Sequence, residues 1–219
     1  AGAGDRLTTH VLDVTDRAQV AAFADEVIAA HGQVDGLLNV AGIIQPFVRV
    51  NDLDFAQMEK VMDVNFWGVI NTTKTFLPLL LERPAGSLVN VASMGAVAPV
   101  PGQTIYGASK AAVKMLTEGL YAELMDTNVA ATTVIMGGSA TDISKNSGVE
   151  IKRSDSSKPG TGMKLTSPED AAAQIIAAME KGAFRVVVGK DARSLDLLSR
   201  VSPRKATETI AERMKSLLS

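Results

Sequence analysis

There is no cysteine in this 219-residue chain. That excludes disulfides, thiolate-bound metals and cysteine nucleophiles, and it fits a cytoplasmic protein. Aromatic residues make up only 4%, so the core must rest on Val, Leu, Ile, Ala and Met. Such a composition suits helices packed tightly on a parallel sheet. Neither sign of charge dominates: 22 Lys and Arg stand against 24 Asp and Glu, for a formal net charge of -2. The near-balance gives no electrostatic footprint for nucleic acid or an anionic membrane. No apolar run approaches the roughly 20 residues that a membrane helix needs. Residues 1–6 are small and polar and lack the apolar segment of a signal peptide. The two histidines, His10 and His31, have no partners at metal-ligand spacing and read as structural.

What is present is strand–helix alternation. The chain is 46% hydrophobic with 18 glycines, enough for one α/β domain with a sizeable core. Short apolar runs predict strands over Thr8–Leu12, Asp35–Val40, Ser87–Ala92, Val129–Met136 and Arg185–Val188. Between them lie helical patterns. One is capped by Asp16, runs to about Ala30 and breaks at Gly32. A long one starts at Asp52 or Asp54 and passes Trp67 to Leu81, with Pro78 a bend near its end. A third covers Tyr106–Met125. Ser167-Pro168 opens another, with Ser at the cap and Pro in the first turn. Residues 191–219 read as a helical tail, with Ser202-Pro203 opening the last helix. Gly137–Thr166 is polar and reads as a long loop or lid. This order implies one doubly wound parallel sheet covered on both faces. Ligands bind such sheets beyond the carboxyl ends of the strands. Asp13, Asn39-Val40-Ala41-Gly42, Ser93 and Gly137-Gly138 all follow predicted strand ends and converge on that edge.

Tyr106 and Lys110 stand four apart in a predicted helix and share a face. A phenol is a poor base at neutral pH, but a neighbouring ammonium favours the phenolate and lowers its pKa. The pair is thus a candidate proton donor and acceptor for a carbonyl or alcohol. Ser93, thirteen residues upstream, can hydrogen-bond the same oxygen. The plain alternative for the pair is an ordinary helix-surface contact. Asn65 reads either as a site residue or as a helix-kink residue, Asp13 as a site or capping acid, and Thr141 as a site or plain loop hydroxyl. Phe66 and Trp67 read as core or subunit-interface packing. The scattered methionines fill the core or line a substrate pocket.

On Asn65, Ser93, Tyr106 and Lys110, in this order and spacing, the chain resembles the short-chain dehydrogenase/reductase family. The match runs nearly end to end. Asn39-Val40-Ala41-Gly42 is similar to the family's Asn-Asn-Ala-Gly turn. The resemblance implies a Rossmann-like fold and NAD or NADP as cofactor, with no preference readable. It implies a secondary alcohol or ketone as substrate, taken to be small or medium-sized and apolar, and a homodimer or homotetramer built on the two long helices. It further implies that Tyr106 exchanges the proton, Lys110 lowers the Tyr106 pKa and holds the ribose, and Ser93 stabilises the oxygen. Asn65 bends its helix and positions a water for proton relay. Asp13 and Val14 hold the adenine. Asn39, Ala41, Gly42, Gly137 and Thr141 line the rest of the cofactor site, and residues 146–166 close over the substrate.

The sequence also departs from the family. It has no Thr-Gly-x-x-x-Gly-x-Gly turn between a strand and a helix, the feature that brings backbone N–H groups to a pyrophosphate. Met136-Gly137-Gly138 stands where the family has Pro-Gly, which frees a fixed φ and loosens the loop. The expectation is a fold that lacks the first two strands and their helices, with the strand at Asp35–Val40 left as an unpaired edge. An inactive fragment or a non-catalytic binding protein is therefore the competing reading. A sugar-nucleotide epimerase or dehydratase would need a larger segment after Thr141. A serine hydrolase at Ser93 fails for want of a Gly-x-Ser-x-Gly elbow.

Overall fold

The computed structural model describes residues 4–139, 141–149 and 165–218. Its sheet has four parallel strands: β1 (Gly36–Asn39), β2 (Gly86–Ser93), β3 (Val129–Met136) and β4 (Arg185–Val188). Their spatial order repeats their chain order. Parallel neighbours need crossovers, and helices supply them. α1 (Arg17–His31) precedes β1. α2 (Phe55–Met62), a π-helical segment (Asp63–Trp67) and α3 (Gly68–Leu81) link β1 to β2. α4 (Thr104–Glu123) links β2 to β3. The short α5 (Ile143–Asn146) and α6 (Pro168–Glu180) lie between β3 and β4. α7 (Lys190–Val201) and α8 (Pro203–Arg213) follow.

Local chemistry sets several of these ends. Asp16 accepts hydrogen bonds from the Ala18 and Gln19 N–H groups at the start of α1. Gly32 closes that helix at φ 78°, the left-handed conformation that favours glycine. Ser167 accepts from the Asp170 N–H, and Pro168 occupies the first turn of α6. α3 continues beyond Pro78 to Leu81.

Both faces of the sheet are covered, and β2 alternates between them. Leu88 packs with Leu80, Leu120 and Leu124, and Ala92 with Val69 and Val113, beneath α3 and α4. Val89 and Val91 face the other way, against Ala171 and Ile175 of α6. Asn90 points to the α3–α4 side and is fully buried, so it needs partners. It donates to Thr117 of α4 at 3.0 Å and accepts from Asn39 of β1 at 2.8 Å.

Two expectations change. Thr8–Leu12 joins no ladder. A strand needs a neighbour for its N–H and C=O groups, and none is present beside this segment among the described residues. Its polar side chains instead bond one another and α1: the Thr8 hydroxyl lies 3.0 Å from His31 Nε2, and His10 Nδ1 lies 2.9 Å from Glu26. Leu7 and Val11 are left exposed. The predicted loop of residues 137–166 is also not wholly irregular, since it contains α5 and a bridge from Ser139 to Thr166. Residues 150–164, most of the expected lid, lie outside the described residues. β1 pairs only with β2, so its other edge is open among the described residues, as expected.

Candidate active site

The ends of β2, β3 and β4 are level. Ser93 pairs with Met136, and Met136 with Val188. Beyond them lies a crevice of about 830 Å³. Ser93, Tyr106, Lys110, Ala41, Gly42, Gly137 and Thr141 all line it. Residues from four separate stretches of chain thus meet in one place. Phe47, Met94, Val100, Ile143 and Met214 form a largely apolar wall.

Ser93 ends β2, and its Oγ accepts from the Gly95 N–H at 3.1 Å. Tyr106 sits in the first turn of α4, with Lys110 one turn further on the same face. Lys110 is only 4% exposed, and its Nζ donates to the Val91 carbonyl at 3.0 Å. Burial pulls the ammonium down to about 8 from 10.5. Burial also pushes the Tyr106 phenol above its usual value, and a hydrogen bond with Ser93 acts in the opposite direction. This corrects the expected lowering by Lys110. The walls of the crevice remove water from the phenol, and that loss outweighs any help to the phenolate.

Asn65 does not line the crevice. It is fully buried in the π-helical segment just behind it. Its Oδ1 accepts from the Ile43 N–H at 2.8 Å, and its Nδ2 donates to the Ile43 carbonyl at 2.9 Å and to Ser109 Oγ at 3.0 Å. Ser109 in turn donates to the Tyr106 carbonyl at 2.7 Å. Gly42 sits in the angle between these groups. A Cβ there would lie 3.1 Å from Lys110 Nζ and 3.3 Å from Asn65 Oδ1.

Three predicted cofactor residues lie elsewhere. Asp13 is exposed and away from the crevice, closing a turn in which it accepts from the Thr15 hydroxyl and N–H. Those bonds hold its carboxyl below the usual range. Val14 packs toward the helix after the π segment: its Cγ2 would meet a Cβ on Gly68 at 2.7 Å, and Asn71 donates to its carbonyl. With no strand formed over 8–12, nothing carries this pair to the sheet edge. The Asn39 side chain is committed to the interior, donating to Asn90 and accepting from Thr72 at 2.7 Å.

Sequence reasoning missed Ser109, Gln45, Gln103 and Asp191. Asp191 Oδ2 accepts from the Gly138 N–H at 2.8 Å, and the Gly137 N–H donates to Val188 at 2.9 Å. These bonds pin the loop that the missing proline was expected to free. A Cβ on Gly137 would lie 2.8 Å from the Val188 carbonyl, and Gly189 has φ 98°, so both positions are held to glycine. Nothing local in the sequence signals these pairings, which join residues about fifty or more positions apart.

The family model for short chain dehydrogenase matches residues 1–151. The chain is 37% identical over 203 residues to the "Putative oxidoreductase SadH" of Mycobacterium tuberculosis, covering 90% of this chain and 73% of that protein. A short-chain dehydrogenase from Burkholderia cenocepacia, solved in complex with NADP, is 26% identical with a TM-score of 0.77. The match covers 98% of this chain and 81% of that one. A short-chain dehydrogenase/reductase from Burkholderia phymatum, solved in complex with NAD, is 25% identical with a TM-score of 0.80, over 94% and 79% of the two chains.

Proposed function

The chain belongs to the short-chain dehydrogenase family, and from that premise we propose that it is an NAD(P)-dependent oxidoreductase interconverting a secondary alcohol and a ketone. The observation that carries this reading is the meeting of Ser93, Tyr106 and Lys110 in one crevice beyond the strand ends. NAD or NADP, when bound, supplies or takes up the hydride. The residues fit its nicotinamide end: Gly42, Gly137 and Thr141 line the crevice, and Lys110 brings a buried cation to it.

The protein supplies the proton and the place for the oxygen. Burial keeps the Tyr106 phenol protonated at neutral pH, ready to pass its proton to a carbonyl oxygen during reduction. The Ser93 hydroxyl, which lines the same crevice, donates to that oxygen as charge develops there. The Lys110 ammonium steadies the phenolate left behind until solvent restores the proton. Phe47, Met94, Val100, Ile143 and Met214 exclude water and favour an uncharged apolar substrate.

The test is the consumption of NADPH or NADH by the purified chain with a panel of aryl and alkyl ketones. Turnover should vanish in Tyr106→Phe while cofactor binding persists. Near-parental rates in that variant would overturn the assignment.

One observation favours a non-catalytic reading for the chain on its own. Asp13 and Val14 stand outside the crevice, and the sequence holds no Gly-rich turn. Titration with NADH and NADPH, followed by fluorescence, separates the two. Saturable binding supports the enzyme, and its absence from a folded chain supports the alternative. In either reading a second copy packs on α4 and on the helical stretch of α2 and the π-helical segment that holds Asn65, where Phe55, Trp67 and Met115 are exposed. Sedimentation of the purified chain tests that pairing. No helix among the described residues is long and apolar enough to cross a membrane.

A further inference from the structure

α4 carries Tyr106 in its first turn, and its own cap residue contributes nothing: the Gln103 side chain makes no capping bond. The first N–H groups of a helix have no partner within it and need one from outside. Here they find it some sixty residues away. Gln45 Oε1 accepts from the Ile105 N–H at 2.9 Å and from the Tyr106 N–H at 3.0 Å. Gln45 is 1% exposed, and its backbone carbonyl accepts from Gln103 Nε2 at 2.6 Å. The orientation of both amides follows. Only an oxygen can accept from two N–H groups, and only an NH₂ can face the Gln45 carbonyl. Gln45 Nε2 is consequently left buried without a partner, at a cost of about 1–3 kcal/mol. An apolar side chain of the same size would avoid that cost and lose the cap.

Gln45 stands on the segment that follows Gly42. Ile43 of this segment is bonded both ways to Asn65, Ile44 donates to Ser147 Oγ at 2.9 Å, and Gln45 reaches the first turn of α4. The Tyr106 backbone is therefore held at both ends, its N–H by Gln45 and its carbonyl by Ser109.

We propose that Gln45 is a positioning residue for Tyr106, capping the helix that carries the phenol and fixing it to the crevice loop of residues 42–47. The proposal rests on the role given to Tyr106 above, but its test needs no turnover. The chain has two tyrosines, Tyr106 and Tyr121. In a Tyr121→Phe background, ¹³C-labelled tyrosine gives one resonance, and its titration reports Tyr106 alone. Far-UV circular dichroism at each pH confirms that the chain is folded.

Gln45→Leu removes the acceptor, and Gln45→Glu keeps it. With Leu the phenol loses its fixed, desolvated place, and its ionisation should fall back toward that of a free phenol. With Glu, which keeps the acceptor and is ionised where a phenol titrates, it should not fall below the parental position. Should Gln45→Leu fail to fold, Gln45→Asn, one methylene short of the cap, carries the same test. A folded Leu or Asn variant that titrates like the parent overturns the proposal, and so does a Glu variant whose phenol falls as far as that of Leu. Where turnover is observed, kcat should fall about tenfold or more in the Leu variant with KM for the cofactor little changed. Absence of turnover in the parent would bear on the enzyme reading alone.

Discussion

Lys110→Met should change how stability depends on pH, in a direction and size that the structure fixes. The ammonium is 4% exposed and burial lowers it from 10.5 to about 8. Below about pH 8 the lysine is charged in both the folded and the unfolded chain, and the folded chain carries the full cost of a desolvated ammonium. Between about 8 and 10.5 the folded lysine has lost its proton while the unfolded one keeps it. The unfolded state then binds more protons, so stability rises with pH across that window. Above 10.5 the dependence ends. At about 1.4 kcal/mol for each pH unit, the rise is on the order of 3 kcal/mol.

Methionine has a similar length and no charge. It removes the ammonium and leaves the Val91 carbonyl without the bond at 3.0 Å, a loss of about 1–3 kcal/mol. Near pH 7 the two effects oppose each other, and the variant should lie within about 2 kcal/mol of the parent. The informative quantity is the difference between the two proteins, because every other titrating group is common to both. Urea unfolding at several pH values from 7 to 10.5 gives that difference. The parent should gain about 3 kcal/mol on the variant over the range. Parallel stability curves would refute the reasoning, since they would mean that Lys110 titrates alike in the folded and unfolded chains.

Gly42→Ala should damage turnover more than stability. Its methyl would crowd Lys110 Nζ and Asn65 Oδ1, so kcat should fall about tenfold or more while the melting temperature moves by only a few degrees; an unchanged kcat would show that the two groups can give way. Asp16→Ala removes the acceptor for two N–H groups of α1 and should cost about 1 kcal/mol in urea unfolding. An unchanged midpoint would mean that α1 frays freely in the parent.

How far the sequence could be read depended on the distance between interacting partners. Asp16 with Gly32, and Ser167 with Pro168, mark the ends of α1 and α6 within a turn of the residues they serve, and all of these were legible. So were β1 to β4, because a short apolar run bounded by turn residues can be seen without its neighbours. Thr8–Leu12 has the same pattern and forms no ladder. Its apolar residues show which face a strand would bury and say nothing of whether another strand stands beside it. The Tyr106–Lys110 spacing placed both side chains on one crevice wall. The sign of the phenol's shift was misread because desolvation comes from walls contributed by distant segments, whereas the pairing with Lys110 is local.

Asn39 shows how the turn after β1 serves the site. Read as part of a cofactor turn, it would offer its amide to a ligand. In the structure that amide is used up inside, donating to Asn90 and accepting from Thr72. Those bonds tie β1 to β2 and to α3 at the point where the chain leaves the sheet. What reaches the crevice is the stretch just beyond, Val40, Ala41 and Gly42. The same division recurs on the far side, where Asp191 holds the backbone of Gly138 and it is the glycines that line the crevice. Polar side chains anchor both loops from behind and leave these two stretches of the crevice wall to backbone and small residues. The loop stretches then present backbone and small side chains, while the residues proposed to act on the substrate, Ser93, Tyr106 and Lys110, stand on regular elements: the end of β2 and one face of α4. A site so divided places its chemistry on the rigid parts and its contact surface on loops that buried bonds hold still.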